Sequence, residues 1–91
     1  MKIVTVCGLG VGSSLILKMT VESALSKLGK TAEVEHWDMG TVKGVNADLI
    51  VTTDDLRKYF ENQDNVIFVE NLVDVNEVYE KLKDYLERGE G

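Results

Sequence analysis

Short apolar runs in this chain alternate with longer segments whose apolar residues fall at helical spacing. Lys2 to Val6 is β-branched and apolar without alternation, which predicts a strand buried on both faces. From Ser13 or Ser14 onward, Leu17, Val21, Ala24, Leu25 and Leu28 recur with helical period, and Gly29 is a suitable stop. Thr31 to Trp37 alternates, with Ala32, Val34 and His36 set against Thr31, Glu33 and Glu35. That pattern predicts an edge strand with one wet face. Residues 38–45 form a loop containing Gly40 and Gly44. Ala47 to Val51 is a third strand, after which Thr52 or Thr53 caps a short helix through Asp54, Asp55, Leu56, Tyr59 and Phe60. Asn65 to Val69 is a fourth strand. Asp74 caps a last helix, in which Val75, Val78, Leu82, Tyr85 and Leu86 form one apolar stripe. Residues 86–91 form a polar tail expected to fray.

Strands alternating with helices predict an α/β fold: a four-stranded parallel sheet with helices on both faces, because parallel crossovers are right-handed. The expected strand order is 2-1-3-4. It places the end of the first strand at the switch point between the first and third strands, where open α/β sheets bind ligands.

Length and charge narrow the picture. The chain has 91 residues, enough for one domain (1–91) and too few for two. Its net charge of -6 disfavours nucleic acid as a partner. The charge is uneven: residues 1–45 hold five lysines and four acids, whereas residues 46–91 hold five basic and twelve acidic side chains. No acid precedes Glu22, so the N-terminal turn is free of neighbouring anions in sequence. One cysteine cannot form an internal disulfide, and Gly8, Gly10 and Gly12 interrupt the early apolar run. Neither secretion nor direct membrane insertion is expected, and the cytoplasm is the default compartment.

The most informative segment is Cys7-Gly8-Leu9-Gly10-Val11-Gly12-Ser13-Ser14, directly after the first strand. Its glycines free the backbone to turn N–H groups inward, and the following helix start adds partial positive charge. Such a turn cradles an anion, with a thiol at its lip. The same residues also suit a tight strand-to-helix turn with Cys7 as a small core hydrophobe. Other chemistries fit less well. The run is neither a dinucleotide fingerprint nor a P-loop. A cysteine phosphatase places an Arg six positions after its Cys, where this chain has Ser13. A thiol reductase needs a resolving thiol, and there is no second cysteine. Cys7 and His36 are too few and too far apart to form a metal site.

These residues resemble a known family. C-G-x-G-x-G-S-S after a first strand, then L-x-x-x-V-x-x-x-L-x-x-L-G, then V-E-H-W-D and A-D-L-I-V-T, is similar to the enzyme IIB components of the bacterial phosphoenolpyruvate-dependent sugar phosphotransferase system. The ascorbate type is the nearest branch, with the galactitol and lactose/chitobiose types further off. The resemblance implies the low-molecular-weight phosphatase-like fold and a phosphotransferase function. A phosphohistidine on a IIA protein or domain gives its phosphoryl group to Cys7, and phosphocysteine passes it to a sugar or ascorbate-like substrate held by a membrane-embedded IIC permease. Cys7 maps onto the phosphocysteine, and Gly8, Leu9, Gly10, Val11, Gly12, Ser13 and Ser14 map onto the phosphate-binding loop. No metal or other cofactor is required. The alternative from the residues alone is a cysteine-dependent phosphatase or reductase on a related scaffold. Leu9 and Val11 either tuck onto the sheet or form a docking patch, and Trp37, Asp38 and Met39 lie at the same sheet edge.

Overall fold

The computed structural model describes residues 2–6, 13–37, 47–60 and 65–90. Four strands form one parallel sheet: β1 (Lys2–Val6), β2 (Glu33–Trp37), β3 (Leu49–Thr53) and β4 (Val66–Val69), in the order β2-β1-β3-β4. Two α-helices, α1 (Ser13–Leu28) and α2 (Val75–Glu90), and a 3-10 helix over Asp54–Tyr59 complete the described elements. The expected fold class and strand order are both present.

The two faces of the sheet are covered differently. Ile3, Leu49, Val51, Ile67 and Val69 point to one face, where Leu17, Val21, Ala24 and Leu25 of α1 meet Val78 and Leu82 of α2. Val4, Val6 and Ile50 point to the other, beneath Leu56 of the 3-10 helix and Phe60 just after it, with Trp37 and Phe68 at the margin. Strand residues two apart share a face, so each inner strand feeds both clusters. This is why β1 and β3 read as unbroken apolar runs. Right-handed crossovers account for the division: the chain moves one way along the sheet through α1 and the opposite way through the 3-10 helix, so these lie on opposite faces.

Several boundaries differ from the sequence expectation. β3 runs to Thr53 rather than stopping at Val51, because Thr52 and Thr53 pair with Phe68 and Val69. Threonine is a good strand residue, and here the ladder outcompetes capping. The segment after it is a 3-10 helix on which Leu56 is buried while Tyr59 points outward, and Phe60, buried, follows its end. β3 starts at Leu49 because the carboxylate of Asp48 accepts from the Lys2 amide at 2.7 Å and the Asp48 amide donates to the Lys2 carbonyl at 2.9 Å. β2 starts at Glu33, the partner of Lys2, where β1 begins. α2 continues to Glu90, past the end of the apolar stripe.

The helix ends follow expectation. Gly29 adopts φ 71°, its amide donates to the Ser26 carbonyl at 3.1 Å, and the Lys30 amide donates to the Leu25 carbonyl at 3.0 Å. This pairing closes the end of α1 with a left-handed residue. Asp74 caps α2, its Oδ1 accepting from the Glu77 amide at 3.1 Å.

Candidate functional site

The carboxyl ends of β1 and β3 frame the site. β1 is bonded to β2 on one side and β3 on the other, so successive connections leave in opposite directions at the β1–β3 boundary. Open α/β sheets bind their ligands outside the carboxyl ends of the strands at such a switch point. β1 ends at Val6 and α1 begins at Ser13, so the Cys7 turn joins the end of a central strand to a helix start. Cys7, Gly8, Leu9, Gly10, Val11 and Gly12 lie outside the described residues. Ser13 and Ser14 open α1. Asp38 and Met39 also lie outside the described residues.

Threonine hydroxyls bind this frame together. Val6 and Thr52 are register partners, and the buried Thr52 hydroxyl donates to the Val6 carbonyl at 2.8 Å. The last residue before Cys7 is thereby tied to β3 by a side chain. Thr5 Oγ1 lies 3.3 Å from the Glu35 carbonyl and ties β1 to β2. Thr20 Oγ1 lies 2.7 Å from the Leu72 carbonyl, joining α1 to the turn after β4. Thr53, 5 % exposed, follows Thr52 at the end of β3 and makes no side-chain cap bond. In the sequence Thr52 and Thr53 read as helix caps, whereas the ladder pairs Thr52 with Val6 and Thr53 with Val69. The signal was present in Val51-Thr52-Thr53, a β-branched run entering a turn.

The turn after β4 is held by a carboxylate. Glu77 accepts from the amides of Glu70 at 2.7 Å and Asn71 at 3.0 Å, and from Lys81 Nζ at 2.8 Å. Burial pushes the Glu77 carboxyl up. The hydrogen bond from Lys81, the two amides and the Lys81 charge together outweigh it, so the group sits below its ordinary range. Lys81 also donates to the Phe68 carbonyl on β4.

Other features of the surface lie apart from this frame or flank it. A groove of about 330 Å³ runs along β4 between Arg57, Phe68 and Lys81, one strand beyond β3, with Arg57 stacked 4.3 Å above the Phe68 ring. Near the start of α1, Leu15, Ile16 and Met19 are exposed, as is Val73 beside Leu72. Among the described residues no group of three His, Cys, Asp or Glu could hold a metal ion, and no helix is long and apolar enough to cross a membrane.

A four-stranded parallel sheet with its switch point at the ends of β1 and β3 and helices packed on it defines an open α/β protein. The chain belongs to the IIB subunit family of the phosphotransferase system: residues 2–88 match the family described as the lactose/cellobiose-specific IIB subunit of that system. It is 36 % identical over 88 residues to the ascorbate-specific EIIB component of Mycoplasma pneumoniae, covering 92 % of this chain and 93 % of the relative. The fold is similar to that of the lactose-specific IIB domain of Streptococcus pneumoniae, with TM-score 0.65, 16 % identity, and coverage of 96 % and 95 % of the two chains. It is also similar to the fold of a YwlE mutant of Bacillus subtilis, with TM-score 0.53, 14 % identity, and coverage of 100 % and 99 %. The chain is a IIB component in sugar phosphotransfer.

Proposed function

We propose that Cys7 is the phosphoryl-carrying residue, loaded by a IIA phosphohistidine and unloaded onto a substrate held by a IIC permease. The observation that supports this most directly is the placement of the Cys7 turn between Val6, at the switch point of the sheet, and Ser13, the first residue of α1. Similarity to an ascorbate-specific component favours a sugar acid or a related sugar as the final acceptor. The carrier works at the cytoplasmic side of the permease.

Each transfer balances in atoms and electrons. In the loading step the Cys7 thiolate attacks phosphorus in line. The P–S bond forms as the P–N bond breaks, and the imidazole leaves with the electron pair. In the unloading step a substrate hydroxyl oxygen attacks, the P–O bond forms, the hydroxyl proton is released, and sulfur departs as thiolate. The loose transition state places charge on the equatorial oxygens. The glycine-rich sequence from Gly8 to Ser14 and the helix start at Ser13 are suited to stabilise that charge and to keep the thiol ionised. Histidine-bound phosphoryl is already a good donor, so no metal is called on. Without an Arg at position 13, the turn lacks the clamp of a cysteine phosphatase and is suited to passing the group on.

Donor and acceptor both have to reach one sulfur, so they bind in turn over the same surface. Leu15, Ile16 and Met19, exposed at the start of α1, border that surface and offer it apolar contact, as do Leu9 and Val11 in this reading. Methionine adapts readily to more than one partner.

Intact mass after incubation with phosphoenolpyruvate, enzyme I, HPr and an ascorbate-type IIA tests the proposal. Addition of one phosphoryl group that disappears in Cys7→Ser is expected. No addition from a demonstrably phosphorylated IIA would overturn the carrier reading and turn attention to phosphatase activity.

A further inference from the structure

Among the described residues β4 is an outer strand of the sheet. Its sequence, Val66-Ile67-Phe68-Val69, is uncharged, free of proline and made of strong strand formers. Such an edge is a template for a further strand unless something occupies it. Alternate residues of a strand turn their backbone groups to opposite sides in the plane of the sheet. The Ile50 amide donates to the Asn65 carbonyl at 2.8 Å, so the backbone groups of Asn65, Ile67 and Val69 face β3. Those of Val66, Phe68 and Glu70 therefore face outward.

Helix α2 meets these outward groups with side chains. Lys81 Nζ donates to the Phe68 carbonyl, and Glu77 Oε2 accepts from the Glu70 amide at 2.7 Å. Lys81 and Glu77 also pair with each other at 2.8 Å. Support of the helix accounts for a Glu–Lys pair four residues apart, but not for the reach of Lys81 to a strand carbonyl. The ammonium stands where the amide of a neighbouring strand would stand, and the carboxylate where its carbonyl would. On the opposite face Arg57 lies 4.3 Å above the Phe68 ring, held through Nε by Asp54 at 2.9 Å. The groove of about 330 Å³ between Arg57 and Lys81 is the part of the next strand position that these side chains leave open.

We propose that the outer edge of β4 is a self-pairing surface held shut by Lys81, and that the occupant it excludes is β4 of a second copy of this chain. Antiparallel pairing about Ile67 sets Val66 opposite Phe68 of the second copy, and each such pair exchanges both of its N–H···O bonds. That ladder uses the outward amides and carbonyls of Val66 and Phe68. Lys81 takes the Phe68 carbonyl out of both pairs, and an incoming strand would strip water from its charge. A second copy fits because the groove walls carry both signs, Arg57 and Lys81 against Glu80 and Asp84, as a twofold contact requires. The inference stands apart from the carrier reading of Cys7.

Sedimentation velocity of the full chain over a range of concentrations tests this, together with amide hydrogen exchange at Val66 and Phe68. Lys81→Met keeps an apolar stem and removes the donor and the charge. It should dimerise about tenfold more tightly than the unsubstituted chain, the effect of freeing one hydrogen-bonding group on the edge. The Val66 and Phe68 amides of this variant should exchange more slowly as concentration rises. Lys81→Arg keeps donor and charge, and Lys83→Met loses the same charge elsewhere on α2, so both should associate no more than the unsubstituted chain. Lys81→Ala, with the best helix former in place, repeats the contrast should the methionine variant fail to fold. Methionine and alanine variants as monomeric as the unsubstituted chain would overturn the proposal. So would association that leaves exchange at Val66 and Phe68 unchanged, or that Lys81→Arg or Lys83→Met shares.

Discussion

The Thr52 hydroxyl donates to the carbonyl oxygen of Val6 at 2.8 Å, in the buried interior and across 46 positions of sequence. The two residues are also paired in the β1–β3 ladder. The end of the strand that leads into Cys7 is thus held by a side chain of its neighbour as well as by the sheet. Loss of this contact loosens the point from which the Cys7 turn departs.

Thr52→Val leaves the buried Val6 carbonyl without its side-chain donor. The expected cost is about 1–3 kcal/mol of folding stability, measured by urea unfolding. Thr52→Ser should recover most of it. An unchanged midpoint in the valine variant would show that the ladder alone holds Val6.

Glu77 makes stability depend on pH with a definite sign. Its carboxyl is held below its ordinary range in the folded protein, so the stabilisation is fully present above the unfolded-state value. It is lost as pH falls through the lowered folded value. Glu77→Gln should therefore lower Tm most near neutrality, with the difference from the unsubstituted protein shrinking on acidification. A difference constant with pH would mean that the charge is not what holds the amides of Glu70 and Asn71.

Gly29→Ala isolates backbone strain. Gly29 has φ 71°, yet an added Cβ would meet nothing within 4 Å. The penalty is therefore conformational, about 1 kcal/mol, and Gly29→Asn should cost less. Thermal melts of the two variants decide this, and equal losses would point to an unseen steric conflict.

Met19 is 59 % exposed beside the start of α1. Met19→Asp should leave Tm within a degree or so, as surface changes usually do. It should raise KM for phospho-IIA about fivefold, the effect of losing roughly 1 kcal/mol of contact. Leu9→Asp should do the same. Unchanged KM in both variants would remove this surface from the docking interface.

Much of the candidate site was legible because glycine, cysteine and strand-end position are local properties. Cys7, Gly8, Gly10 and Gly12 stand out in any reading of the first fifteen residues. Thr52 and Thr53 do not. A threonine after a strand reads equally as a cap or as one more strand residue, and only the presence of Phe68 and Val69 as partners decides between them. The role of Glu77 was hidden for a similar reason. It stands three residues after Asp74, as in a capping box, but its carboxylate reaches back past the cap to Glu70 and Asn71.

By itself the sequence determined the periodicities, the stop at Gly29, the cap at Asp74 and the four-strand parallel order, because apolar spacing, left-handed glycine and right-handed crossovers act along the chain. Tertiary structure alone decided which hydroxyl meets which carbonyl at the carboxyl end of the sheet. Those contacts join β1 to β3 and α1 to the turn after β4, and only the register of packed strands sets the distances at which such bonds form.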